Sequence, residues 1–167
     1  MSSSEWSFGR RALLLGIGAL AACGYEPVNS PDGAAAGLKS GEIAVRAPVE
    51  EDEYTLVEAL ERRLGQAKRA GYMLDYTLKV DEVAVGITPN QETTRYNVIG
   101  RIDWTLTDLA TGSVATSGGF ESFSSYAATG SAVSSLTAQE DAHRRLTTLM
   151  ADQIVTRLTA TAADWRQ

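Results

Sequence analysis

From Tyr72 onward the hydrophobic residues recur at every second position, whereas before and after that stretch they recur at every third or fourth. A period of two marks half-buried strands and a period near 3.6 marks helices, so the chain reads as a strand-rich centre flanked by helical segments. Tyr72, Leu74, Tyr76, Leu78 and Val80 point one way and Asp75, Thr77, Lys79 and Asp81 the other. The apolar phase then moves to odd positions at Val83, Val85 and Ile87, which predicts a one-residue bulge near Asp81-Glu82. Thr88-Pro89-Asn90-Gln91 reads as a turn, after which Tyr96, Val98, Ile102, Trp104 and Leu106 oppose Arg95, Asn97, Arg101 and Asp103. With the turn centred near Pro89, facing residues have numbers summing to about 178, which sets Arg101 opposite Thr77 and diagonal to Lys79. Asp108-Leu109-Ala110-Thr111-Gly112 forms the next turn. Val114, Thr116, Phe120 and the residues to Tyr126 make a third long strand, completing a meander.

Upstream, Glu42 to Ala47 alternates and predicts a short strand closed by Pro48. Glu50 to Glu53 then precede Leu56, Val57, Leu60 and Leu64, one face of a helix whose acidic start suits its dipole and whose stop is Gly65. Downstream, Ala127 to Ser135 reads as a linker of small residues. Thr137-Ala138-Gln139-Glu140 has capping-box form, and the helix it opens carries Ala142, Leu146, Leu149, Met150, Ile154, Leu158 and Trp165 in one stripe of about 25 residues. The expected fold is therefore α+β: a β-α-β-β-β-α two-layer sandwich, with a four-stranded, mostly antiparallel sheet and two helices on one face. The other sheet face carries the polar alternates and is free to meet something else.

The N-terminal end has another character. Arg10-Arg11 precede an apolar run of eleven residues, Ala12 to Ala22. As a helix that run reaches about 16 Å against the roughly 30 Å of a bilayer core, so it reads as a secretory signal and not a membrane span. Leu20-Ala21-Ala22-Cys23 resembles the bacterial lipobox, in which the cysteine sulfur receives a diacylglyceryl group and the cysteine becomes the acylated first residue. Cys23 is the only cysteine, and thioether formation removes a lone thiol from an oxidising compartment. Three acyl chains such as palmitate would hold the protein practically irreversibly. The expected organisation is a signal peptide over 1–22, a lipidated Cys and tether over 23–41 and a single domain over 42–167. The export route, general or twin-arginine, stays open.

Removing Glu5, Arg10 and Arg11 takes 15 basic and 21 acidic residues to 13 and 20, a net of about −7. Such a surface does not seek nucleic acid or anionic headgroups through its global field, so a phosphorylated ligand must meet local cations. Neither a metal cluster nor a Gly-rich phosphate loop is present in the sequence, and no cofactor is expected. The only histidine, His143, reads as solvent-facing, and Asp75 and Asp103, opposed across the meander, read as part of a solvated face; no enzymatic activity is expected.

Several motifs in this order resemble the lipopolysaccharide-assembly lipoprotein family LptE in its alphaproteobacterial form. They are the lipobox with Cys23-Gly24-Tyr25 and Pro27, Leu60-Glu61-Arg62-Arg63-Leu64-Gly65, the Tyr72-to-Val80 strand, Glu92-Thr93-Thr94-Arg95-Tyr96-Asn97 and Asp152-Gln153-Ile154-Val155-Thr156-Arg157-Leu158. The resemblance implies a lipid-anchored outer-membrane protein facing the periplasm, which plugs the barrel of LptD, binds lipopolysaccharide and assists its assembly at the surface. Gly24 after the lipidated cysteine agrees, by resemblance to enteric sorting rules, with the outer membrane. A rival reading is an adaptor lipoprotein of a lipid-transport ABC system, which would purify with inner-membrane components. For lipopolysaccharide contact the candidates are Lys79, Arg95 and Arg101, one polar face able to offer charge-assisted bonds to phosphate; the alternative is that they form cross-strand ion pairs with Asp75, Asp81 and Asp103.

Overall fold

The computed structural model describes residues 40–87, 93–128 and 131–166. Cys23, the signal segment, nearly all of the tether and the Thr88–Gln91 turn lie outside the described residues. The elements run β1 (Ile43–Val45), α1 (Glu51–Leu64), β2 (Tyr72–Ile87), β3 (Thr93–Asp108), β4 (Val114–Ala127), α2 (Ala132–Ala160) and a final turn α3 (Ala162–Trp165). The sheet order is β1-β2-β3-β4, with β1 parallel to β2 and the other pairs antiparallel. Both long helices cover one face, which is the expected α+β sandwich.

Each helix is shaped by its ends. Buried Glu53 turns back at the start of α1, where its Oε2 accepts the Val49 N–H at 2.7 Å and its Oε1 takes the Arg46 guanidinium at 2.8 Å. A carboxylate there satisfies an amide at the helix's positive end. Gly65 stops the helix at φ 81°, a left-handed value that glycine adopts without a Cβ clash. Helix α2 begins earlier than the capping-box motif suggests, because Ser131 is the N-cap and its hydroxyl accepts the Ser134 N–H at 3.2 Å. Ser131 is followed by a helix-compatible Ala-Val-Ser-Ser-Leu run, so part of the supposed linker is helical. Thr137 instead donates its hydroxyl to the Val133 carbonyl within the helix.

The core lies between the helices and the even-numbered face of the sheet, and Leu56, Leu60, Leu74, Val98, Leu106, Leu146, Met150, Ile154 and Leu158 are fully enclosed. Leu149 departs from the expected stripe and is 44% exposed. At 100° per residue it lies about 100° from the centre of the line formed by Ala142, Leu146, Met150, Ile154 and Leu158. Trp165 is also off that stripe: α2 ends at Ala160 with Thr161 as its C-cap, and the short α3 folds Trp165 edge-on against Tyr72, with ring centroids 5.1 Å apart. Gly100 lets α2 lie directly on β3, since a Cβ there would stand 2.7 Å from the Met150 sulfur.

The register differs from expectation by two. Lys79 pairs with Arg101, Thr77 with Asp103 and Asp75 with Thr105, and this alignment continues without interruption to Ala84↔Tyr96. There is no bulge at Asp81-Glu82. The irregularity falls between Ala84 and Ile87, at Gly86, close to the turn. Val83 and Val85 are therefore exposed on the open face, and Glu82 takes the helix-facing place.

Candidate binding face and a carboxylate–histidine cluster

On the open face the odd-numbered residues of three strands stand side by side. Lys79 and Arg101 are direct neighbours across β2 and β3. Arg101 spans the strands, with Nη1 3.1 Å from Asp81 Oδ2 and Nε 2.7 Å from Glu121 Oε2. Its partners are exposed, so the triad orients the guanidinium more than it stabilises the fold. Lys79 and Arg95 have no ion-pair partner among the described residues. Arg95 pairs with Gly86 and Ala127 beside the bulge. That is six residues from Arg101, roughly 20 Å along the strand, so Lys79 and Arg101 can meet one phosphate while Arg95 is a separate point on the same face. Asp75 and Asp103 are diagonal, not opposed. Toward the turn the face becomes apolar, with Val83, Val85 and Phe123 exposed.

The sequence reading placed His143 in solvent; it is instead the centre of a cluster joining four elements. Its Nδ1 lies 2.9 Å from Asp52 Oδ1 on α1 and its Nε2 2.7 Å from Glu82 Oε1 on β2. Glu82 also accepts from Gln139 Nε2 at 2.7 Å and from the Tyr126 hydroxyl of β4 at 2.8 Å. Tyr126 in turn stacks on Tyr96 with centroids 5.3 Å apart. Burial opposes charge on His143, but the hydrogen bonds and negative charge of Glu82 and Asp52 outweigh it and hold its pKa above the ordinary 6.5. Burial likewise opposes charge on Glu82, yet Gln139, His143 and Tyr126 together keep its carboxyl below its usual range. The Tyr126 hydroxyl is pushed up to about 12, first by burial and then by the bond to Glu82. The one available sequence signal was the even-position Glu82 where alternation called for an apolar residue.

Chemically this arrangement is a clasp. Both imidazole nitrogens are engaged by carboxylates, and among the described residues no serine or threonine hydroxyl is bonded to the ring. The adjacent cleft of ≈ 460 Å³ is lined by Glu51, Asp52 and Glu140 together with His143 and Arg144, and since His143 is already engaged by carboxylates the cleft has little positive charge to offer a phosphate. A phosphorylated ligand is better matched by the open sheet face.

Solved structures share this architecture. A protein of Caulobacter crescentus CB15 described as a lipoprotein superposes with a TM-score of 0.66 at 23% identity, over 80% of this chain and 98% of that one. Rare lipoprotein B of Shewanella oneidensis gives 0.58 at 14% identity, over 75% and 98%. Lipoprotein B of Nitrosomonas europaea gives 0.55 at 10%, over 72% and 82%. At such identities the likeness is one of fold, and it defines the class as a small α+β sandwich also found in these proteins. No curated protein matches the chain. The sequence model of the family LptE, lipopolysaccharide-assembly, matches residues 41–158, and the chain belongs to that family.

Proposed function

We propose that this protein is an outer-membrane lipoprotein, anchored through Cys23, that sits as a plug in the LptD barrel, binds lipopolysaccharide and assists its assembly at the cell surface without catalysing a reaction. Membership of the lipopolysaccharide-assembly family over residues 41–158 carries this reading. The polar open face supports it, because the lumen of a large outer-membrane barrel is polar and a plug must be polar where it meets that wall. The His143 clasp, which ties both helices to the sheet, fits a rigid plug. Affinity purification from membranes followed by mass spectrometry tests the partner: LptD should be recovered, and recovery of inner-membrane transporter subunits instead would overturn the assignment.

The anchor is tested separately. Cys23→Ser should abolish incorporation of a fatty-acid analogue, and label retained in that variant would refute lipidation at this residue.

For lipopolysaccharide, Lys79 and Arg101 form the primary contact and Arg95 an outlying one. Lys79→Glu and Arg101→Glu should each weaken lipopolysaccharide binding about tenfold or more, since each replaces a charge-assisted donor by a repelling charge. Arg101→Glu additionally sets a third acid beside Asp81 and Glu121. Affinity unchanged in both variants at matched thermal stability would reject the site.

A further inference from the structure

The two ends of the sandwich differ in what they expose. At the end where β1 begins, the chain enters through a clasp: the Gly41 N–H donates to the Leu64 carbonyl at 2.8 Å, with Gly41 at φ 80°. A side chain at Gly41 would bring its Cβ within 2.7 Å of the Gln66 carbonyl oxygen. The Gly71 N–H then donates to Glu42 at 2.8 Å, and the Leu109 N–H to Gly71 at 2.9 Å. The chain entry, the α1–β2 loop and the β3–β4 turn are thus one hydrogen-bonded platform.

We propose that this platform rests on the surface of an anionic phospholipid bilayer, with Lys68 and Arg69 against headgroup phosphates and Leu109 in the interfacial layer. Lys68 and Arg69 are exposed and have no ion-pair partner among the described residues, in a chain whose net charge is −6. The acid that shares a hollow with them is ion-paired, and the acid of the β3–β4 turn is folded into its own turn. Glu42 takes the Arg166 guanidinium at 2.9 Å, and Asp108 accepts the N–H groups of Ala110 and Thr111 at 2.7 and 3.1 Å. Asp164 on α3 stays exposed on the helix side. A hollow of ≈ 910 Å³ opens beside the two cations, between them and the chain entry at Ser40 and Gly41. Leu109 is 49% and neighbouring Val114 62% exposed, so cationic and apolar groups share one end, the combination that holds a protein at a charged lipid interface.

The chain outside the described residues leads to the same place. Sixteen residues separate Cys23 from Ser40, at most about 55 Å when extended. A lipid on Cys23 therefore keeps this end near headgroups, where even a weak contact is populated. The proposal rests on the lipoprotein reading for its anchor, and in a barrel complex it sets this end at the periplasmic rim.

The test supplies the anchor chemically, so the two readings fail separately. Every described element and the described core lie between Ile43 and Trp165, so a chain starting at Cys23 keeps all of them. Coupled through its one thiol to maleimide lipid, it is placed on vesicles of phosphatidylcholine alone or of equal parts phosphatidylcholine and phosphatidylglycerol. Amine labelling is then read by mass spectrometry at Lys68 and at Lys79, which lies on the open face. On the anionic vesicles Lys68 should be labelled about tenfold more slowly with Lys79 unchanged, and Arg69→Glu or high salt should remove most of that protection. Equal Lys68 rates on both vesicles, protection that survives Arg69→Glu, or equal slowing of Lys79 would each overturn the proposal. Fatty-acid labelling in cells reports on lipidation at Cys23 alone and leaves this result untouched.

Discussion

Leu146→Ala should lower the stability of the folded domain by about 2–5 kcal/mol, in the upper part of that range, while Leu149→Ala should cost under about 1 kcal/mol. Leu146 is fully buried where α2 lies on Gly100, and a Cβ at Gly100 would already stand 3.1 Å from its Cδ2. The cavity left by truncation is floored by backbone that cannot follow, because β3 is held by ladders to β2 on one side and β4 on the other. Leu149 is partly in water already and leaves no enclosed void. Urea unfolding with unchanged m-values measures both. Equal losses would mean that α2 is rotated from the orientation described.

Glu82→Ala should destabilise by about 1–2 kcal/mol, because it leaves the hydroxyl of buried Tyr126 without its acceptor, while the half-buried Gln139 and His143 turn to water and His143 keeps Asp52. The same cluster gives stability a pH dependence with a definite sign. His143 has a raised pKa when folded, so its contribution is complete below its unfolded value of 6.5 and is lost as pH rises through the folded value. Glu82 has a lowered pKa, so its contribution is present above 4.5 and is lost as pH falls through the folded value. Stability from the clasp should therefore be largest between those limits. His143→Gln should flatten the alkaline flank of the unfolding midpoint above pH 6.5, and Glu82→Gln the acidic flank below pH 4.5. A His143→Gln profile parallel to wild type above pH 6.5 would show that the fold does not raise the pKa of the histidine.

Much of the architecture was legible because the periods of two and near four report burial directly. Alternation from Tyr72 to Val80 and the spacing of Leu56, Val57, Leu60 and Leu64 match the buried positions. Gly65 and Gly112, both at positive φ, mark a helix stop and a turn that backbone sterics demand. Errors arose where a residue answers to something distant. Glu82 broke the alternation, and a bulge was the local explanation. The strand in fact keeps its phase, because His143 and Gln139, about sixty positions away, give the carboxylate on the helix-facing side its partners.

The candidate site divides the same way. That Lys79, Arg95 and Arg101 share one face follows from their odd numbers and the turn between them. Which of them meet does not, since register depends on where the hairpin is centred: facing numbers sum to 180, not 178, on both sides of the irregularity at Gly86, and this sets Lys79 opposite Arg101 and leaves Arg95 apart.

By itself the sequence determined the order of elements, the two-layer class, the polarity of each sheet face and the coincidence of the only cysteine with a lipobox, because each is a property of neighbouring residues. The tertiary structure alone decided the register, the exposed place of Leu149, the folding back of Trp165 and the clasp around His143. These depend on which surfaces meet across long separations, where the free energy of a pairing resides in contacts that no local period records.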